Sequence, residues 1–166
     1  MLGHGNQAVK AYLDIETSFF GEISIFGLYA EDRGLVQLVG GGISDVAVWN
    51  SLEGIQVICT YNGTRFDLPV IRRRLGLDLR SSFRCHDLMY DCWRRRLYGG
   101  LKRVEEQLNI PRRSRGIDGM EAMRLWHRYE TARDNEAFMT LLEYNREDVL
   151  NLETLDRFLQ EMAPCA

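Results

Sequence analysis

Three places in the chain carry residues whose types and spacing suit metal-assisted hydrolysis. The first is Asp14-Ile15-Glu16-Thr17. Side chains two apart on a strand point to one face, so Asp14 and Glu16 present adjacent carboxylates at the end of an otherwise apolar strand. Two such charges repel unless a cation lies between them; a strand end fraying into solvent is the bland alternative. The second is Tyr61-Asn62-Gly63-Thr64-Arg65-Phe66-Asp67-Leu68-Pro69, where turn residues lead into a helix that opens on Asp67. Alone, that acid only complements the helix dipole. If the strand before it runs parallel to the first and beside it, Asp67 reaches the same sheet edge as Asp14 and Glu16. The third is Tyr144-Asn145-Arg146-Glu147-Asp148. Residues i and i+4 share a helix face, so the Tyr144 hydroxyl and the Asp148 carboxylate project together. Leu141, Leu142, Val149, Leu152 and Leu155 put Asp148 at the border of the buried side, where an unpaired carboxylate is costly. Pairing with Arg146 or another cation is the ordinary alternative there.

The elements that must position these residues are readable in outline. Val9 to Asp14, Glu22 to Tyr29 and Gly34 to Val39 read as three strands joined by short connections, an antiparallel meander. Ser44 to Leu52 reads as a helix with a Ser N-cap, and Ile55 to Thr60 as a strand buried on both faces in a parallel part of the sheet. Phe66 to Leu75 is helical and closed by Gly76; Ser82 to Leu88 is a last strand. From Met89 the pattern is helical over Met89 to Leu97, Leu101 to Leu108, Met120 to Tyr129 and Glu136 to Met162. The order predicts an α/β protein with a mixed five-stranded sheet flanked by helices.

Composition sets the wider frame. The 166 residues suffice for one domain, expected to span 1–166 with its core over about 8–160, and no repeat or low-complexity segment interrupts them. No apolar run approaches the roughly 18 to 20 residues a membrane span needs, and Met1 to Lys10 lacks the pattern of a leader, so a cytoplasmic location is expected. Cys59, Cys85, Cys92 and Cys165 form no C-x-x-C pair and read as buried thiols; His4, His86 and His127 are too scattered for a metal site.

The net charge of -3 conceals an asymmetry. Residues 1–60 hold two basic and seven acidic side chains, residues 61–133 hold 17 and nine, and residues 134–166 hold two and eight. Of the 21 basic residues 19 are arginine, whose planar fork suits phosphate. Any one of the runs Arg72 to Arg74, Arg94 to Arg96 and Arg112-Arg113 reads as a solvated face; three in one third of the chain point to a phosphate-rich ligand. Trp93 and Tyr98 lie in that basic stretch, where they could stack on unpaired bases, whereas Trp126 reads as core.

Taken together and in this order, the three motifs resemble those of the DnaQ-like (DEDD) exonuclease superfamily in its tyrosine-containing DEDDy branch, which has the ribonuclease H-like fold. Tyr-Asn-Gly-x-x-Phe-Asp-x-Pro at 61–69 and Asn-Arg-x-Asp-Val at 145–149 are most similar to the YprB-type family of predicted exonucleases, with weaker echoes at His86-Asp87-Leu88, Leu108-Asn109-Ile110 and 118–122. The resemblance covers about residues 8–160. Typical YprB-type members carry His where this chain has Tyr144; the four-residue step to Asp148 follows the DEDDy pattern.

The resemblance implies a 3′-to-5′ exonuclease that releases nucleoside 5′-monophosphates from the ends of single-stranded DNA or RNA. It implies two divalent cations, with Asp14 bridging them, Glu16 and Asp148 completing the coordination of the first cation and Asp67 holding the second cation, largely through water. Carboxylates without a His or Cys cluster favour Mg²⁺ or Mn²⁺. Tyr144 would orient the attacking water, because a phenol with a pKa of about 10 stays protonated at neutral pH. Thr17, Asn62, Arg65 and Phe66 are the implied contacts to the terminal nucleotide. A structure-selective endonuclease of the same fold and a non-catalytic nucleic-acid-binding adaptor are the alternatives; a separate protein that recruits the chain to its substrate is a further expectation.

Overall fold

A computed structural model describes residues 8–162. Strands β1 (Lys10–Thr17), β2 (Ile23–Ala30) and β3 (Gly34–Val39) form the expected antiparallel meander, and β4 (Val57–Thr60) and β5 (Arg84–Asp87) extend it in parallel. The sheet order is β3-β2-β1-β4-β5, so β4 lies beside β1, the condition on which the placement of Asp67 depended.

Alternation along β1 divides the structure into two cores. Ala11, Leu13 and Ile15 pack with Val48 and Leu52 of α1 (Asp45–Ser51), Leu68 and Ile71 of α2 (Asp67–Leu75), and Leu79 of α3 (Leu79–Ser82). Tyr12, from the alternate register, packs with Leu88 and Cys92 of α4 (Leu88–Arg94), Val104 of α5 (Leu101–Leu108), and Leu152 and Leu155 of α7 (Asn135–Glu161). On that second face Ile25 of β2 meets Leu125 and Trp126 of α6 (Gly119–Ala132) and Leu141 and Tyr144 of α7. Asp14 and Glu16 share the register of Tyr12 and therefore face α7.

Local signals behave as expected at several ends. Ser44 Oγ accepts from the Ala47 amide, and Gly76 closes α2 at φ 72°. β1 runs three residues beyond the predicted Asp14. Its antiparallel partner continues to pair with it, Asp14 opposite Gly27 and Glu16 opposite Ile25, so both acids sit inside a ladder and not on a frayed end. The short 3₁₀ turn Gly40–Gly42 and α3 were not anticipated; neither is long enough to show a period.

Cys59, Cys85 and Cys92 are free thiols; Cys165, His4 and most of the N-terminal stretch read for a leader lie outside the described residues. Among the described residues no helix is long and apolar enough to cross a membrane.

Candidate active site

The C-terminal half of β1 and the middle of α7 cross on one face of the sheet, and their acids converge there. One carboxylate oxygen each from Asp14, Glu16 and Asp148 all lie within 4.8 Å of one another. Asn145, fully buried, fixes this crossing: its Nδ2 donates to the Asp14 carboxylate at 3.1 Å and to the Asp14 carbonyl at 3.2 Å. Its Oδ1 accepts from Gln37 Nε2 of β3 at 3.0 Å. Gly27, opposite Asp14 in β2, makes the room, because a Cβ there would collide with the Asn145 amide.

Asp67 arrives beside this trio but is held differently. It is buried at the first position of α2, and its Oδ1 accepts the Ile15 amide at 3.0 Å. Burial raises the Asp67 pKa to about 7 against the opposing effect of that amide. Burial and the neighbouring carboxylates, Asp148 foremost, hold Asp14 and Glu16 well above the usual range. Burial raises Asp148 to about 6, with Arg112 pulling the other way. Four acids gathered with so little compensation are costly without a cation, and their hard oxygen donors from separate elements fit a divalent one.

Asp14, Asp148 and Tyr144 line an open cleft of about 490 Å³ with Asn62, Lys102, Gly99 and Gly100. Lys102 Nζ donates to the Tyr144 hydroxyl at 2.5 Å and lies 4.3 Å from its ring centroid. Burial lowers the Lys102 pKa, partly offset by Asp148 and Glu16. Burial and then the acids push the Tyr144 phenol far above its ordinary value, so it keeps its proton. Lys102 carries no motif of its own in the sequence; α5 brings it to the cleft.

Arg112, like Lys102 and Asn145, is a residue that the sequence did not single out for the site. Within the basic stretch it read as part of a solvated pair, yet its side chain is only 7% exposed. Its fork grips Glu105 through Nε at 2.7 Å and Nη2 at 2.9 Å, and Nη2 also pairs with Asp148. Glu147 secures the loop that delivers it, accepting from the amides of Arg113 at 2.6 Å and Ser114 at 2.8 Å and from the Ser114 hydroxyl. The cation anticipated for Asp148 is thus Arg112; Arg146 pairs with Glu143 instead.

The turn of the second motif is also braced from afar. Asn62 adopts φ 59°, a left-handed conformation that Asn tolerates, and Asp87 of β5 accepts the amides of Asn62 at 2.8 Å and Thr64 at 3.0 Å. Of the four predicted nucleotide contacts, Asn62 lines the cleft. Arg65 and Phe66 are exposed on the same turn. Thr17 is partly buried, paired with Ile23 just beyond a bulge in β1.

A mixed sheet of order β3-β2-β1-β4-β5, flanked by helices and carrying acids on its central strand and on a long C-terminal helix, is a ribonuclease H-like fold. The RNase_H_2 family model, of the RNase H superfamily, matches residues 11–160, and the chain belongs to that family. Among solved structures it is similar to the family B DNA polymerase of the hyperthermophilic archaeon Pyrobaculum calidifontis, with a TM-score of 0.70 and 17% identity over 92% of this chain. The match spans 24% of that polymerase chain, so the likeness is one of fold to a portion of a much longer protein. No curated protein matches the sequence.

Proposed function

We propose that this chain is a metal-dependent 3′-to-5′ exonuclease of the DEDDy type, with a YprB-like sequence pattern, whose catalytic unit is residues 8–160. Its substrates are the ends of single-stranded DNA or RNA, and its products nucleoside 5′-monophosphates. One observation carries the reading: Asp14, Glu16 and Asp148 converge, and two of them, Asp14 and Asp148, line one open cleft with a protonated Tyr144.

Asp14, Glu16 and Asp148 are the residues that would hold one Mg²⁺ or Mn²⁺, and Asp67, anchored through one oxygen on the Ile15 amide, would serve a second. Bound there, such cations would supply neutralisation of charge on the phosphate and a lowered pKa for a bound water. The chain's own residues do the rest. Tyr144, unable to act as a base, donates a hydrogen bond that orients the attacking water, and Lys102 fixes its hydroxyl. Asn145 and Arg112 hold Asp14 and Asp148 in place. Thr17, Asn62, Arg65 and Phe66 are the assigned contacts to the terminal nucleotide.

Gel-resolved digestion of 5′-labelled single strands, DNA and RNA, with Mg²⁺ or Mn²⁺ tests this directly. A ladder shortening one nucleotide at a time is expected. Intact strands overturn the reading, and a few discrete internal cuts replace it with endonuclease action.

A further inference from the structure

Beside the acidic cluster lies a stretch of surface that combines exposed aromatic rings with cations lacking acidic partners. Trp93 of α4 is 37% exposed, Phe66 45% and Tyr98 60%. Arg65 and Arg96 are exposed, and neither reaches an acid among the described residues. The Arg65 guanidinium lies 5.8 Å from the Trp93 ring centroid, and Tyr90 meets that ring edge-on at 5.3 Å. Trp93 is therefore held in place on a surface that leaves part of it in water.

Two hydrogen bonds join this surface to the cleft. The Leu97 amide donates to the Cys92 carbonyl at 3.0 Å, folding the segment after α4 back onto the helix. The Tyr61 hydroxyl donates to the Gly99 carbonyl at 2.6 Å, fastening that segment to the turn of the second motif. Gly99, Gly100 and Leu101 line the cleft together with Asp14, Tyr144 and Asp148. The segment that walls the cleft thus carries Tyr98, and the turn that also lines it carries Arg65 and Phe66.

We propose that Trp93, Arg96 and Tyr98, continuing outward from Arg65 and Phe66 at the terminal nucleotide, form with them a docking platform for the single strand that leads into the cleft. The inference rests on reading the acidic cluster as a nuclease centre. The rings stack on unpaired bases and the guanidiniums meet successive phosphates. A duplex hides its base faces in its own stack, so the platform discriminates against it. Ring faces and guanidiniums read no 2′ position, so DNA and RNA strands are held alike.

The test measures binding by the full chain in EDTA, where nothing is cut, using 5′-labelled single strands from a dinucleotide to a dodecamer and a dodecamer duplex. Affinity should climb with strand length, exceed that for the duplex, and be accompanied by quenching of tryptophan emission. Trp93→Ala with Tyr98→Ala should weaken dodecamer binding by about tenfold or more and flatten the dependence on length. Trp93→Phe should restore the affinity while removing most of the quench, an outcome a merely structural role for Trp93 would not produce. Arg65→Ala and Arg96→Ala should each reduce the slope of log affinity against log salt by about 0.7. Equal binding of dinucleotide and dodecamer, tighter binding of duplex, or an unaltered length dependence in a double variant with native circular dichroism overturns the platform. Length-dependent binding without hydrolysis in Mn²⁺ keeps the platform and removes the exonuclease reading; hydrolysis without length-dependent binding does the reverse.

Discussion

Two ends of one interface, between the same face of β1 and the same side of α7, treat buried acids in opposite ways. At one end Asp156 accepts from Lys10 Nζ at 2.6 Å and from the Tyr12 hydroxyl at 2.8 Å, and these partners hold its carboxyl below the usual range despite burial. Two turns earlier on α7, Asp148 meets Asp14 and Glu16, which continue the alternation begun by Lys10 and Tyr12. There burial prevails over Arg112 and the carboxyl is raised to about 6. The first end is a satisfied structural contact. The second keeps more negative charge than its surroundings compensate, the arrangement expected where a protein gives up stability to hold a ligand.

The contrast can be broken most severely at Asp14. Asp14→Asn is expected to cost at least about a hundredfold in hydrolysis, since it removes a carboxylate from the trio. The same change should raise the melting temperature of the metal-free protein by relieving repulsion. Single-turnover digestion and calorimetry would check the two halves, and full activity in the variant would refute the assignment.

Next in size is Arg112→Met. It leaves Glu105, 1% exposed, with the Asn151 amide but without its cation and should destabilise the fold by about 3–5 kcal/mol. Denaturant unfolding measures this, and adding Glu105→Leu should restore much of the loss if the buried charge is its cause.

The pH dependence follows from the raised carboxyls. Their folded pKa values lie above the unfolded ones, so the folded state binds more protons between them. The stability they contribute is fully present below about pH 4 and is lost as pH rises through about 6 for Asp148 and about 7 for Asp67. Metal-free protein should therefore melt several degrees higher at about pH 5.5 than at about pH 8. Saturating Mg²⁺ or Mn²⁺ should shrink or invert that trend, because a cation favours the ionised acids.

The smallest effect belongs to the compensated end. Asp156→Asn should lower stability by about 1–2 kcal/mol, since Lys10 is partly exposed and can be rehydrated. Hydrolysis should be unchanged once melting is allowed for. A loss as large as that of Asp14→Asn would erase the distinction between the ends.

Much of the site was legible because its signals are local. The two-residue step between Asp14 and Glu16 and the four-residue step between Tyr144 and Asp148 depend only on strand and helix periods. The residues that were missed act across the chain. Arg112 cannot be told from Arg113 by type or neighbours, yet one turns inward to Glu105 and Asp148 while the other contributes its amide to Glu147. The other arginine runs divide in the same way. Arg74, at the surface, donates to the Phe20 carbonyl at 2.7 Å, and the half-buried Arg95 to the Leu159 carbonyl at 2.6 Å, so part of the basic middle braces the fold.

What could be read from residue order was therefore the strands, every helix but α3, the caps at Ser44 and Gly76 and the face on which the motif acids lie, because hydrogen-bond geometry repeats over a few residues. Which acid meets which partner was settled by packing. Asn145 reaches Asp14 across 131 positions, and Lys10 reaches Asp156 across 146. Both pairings depend on where α7 crosses β1, and so does the difference between an acid that is neutralised and one that is left short of positive charge.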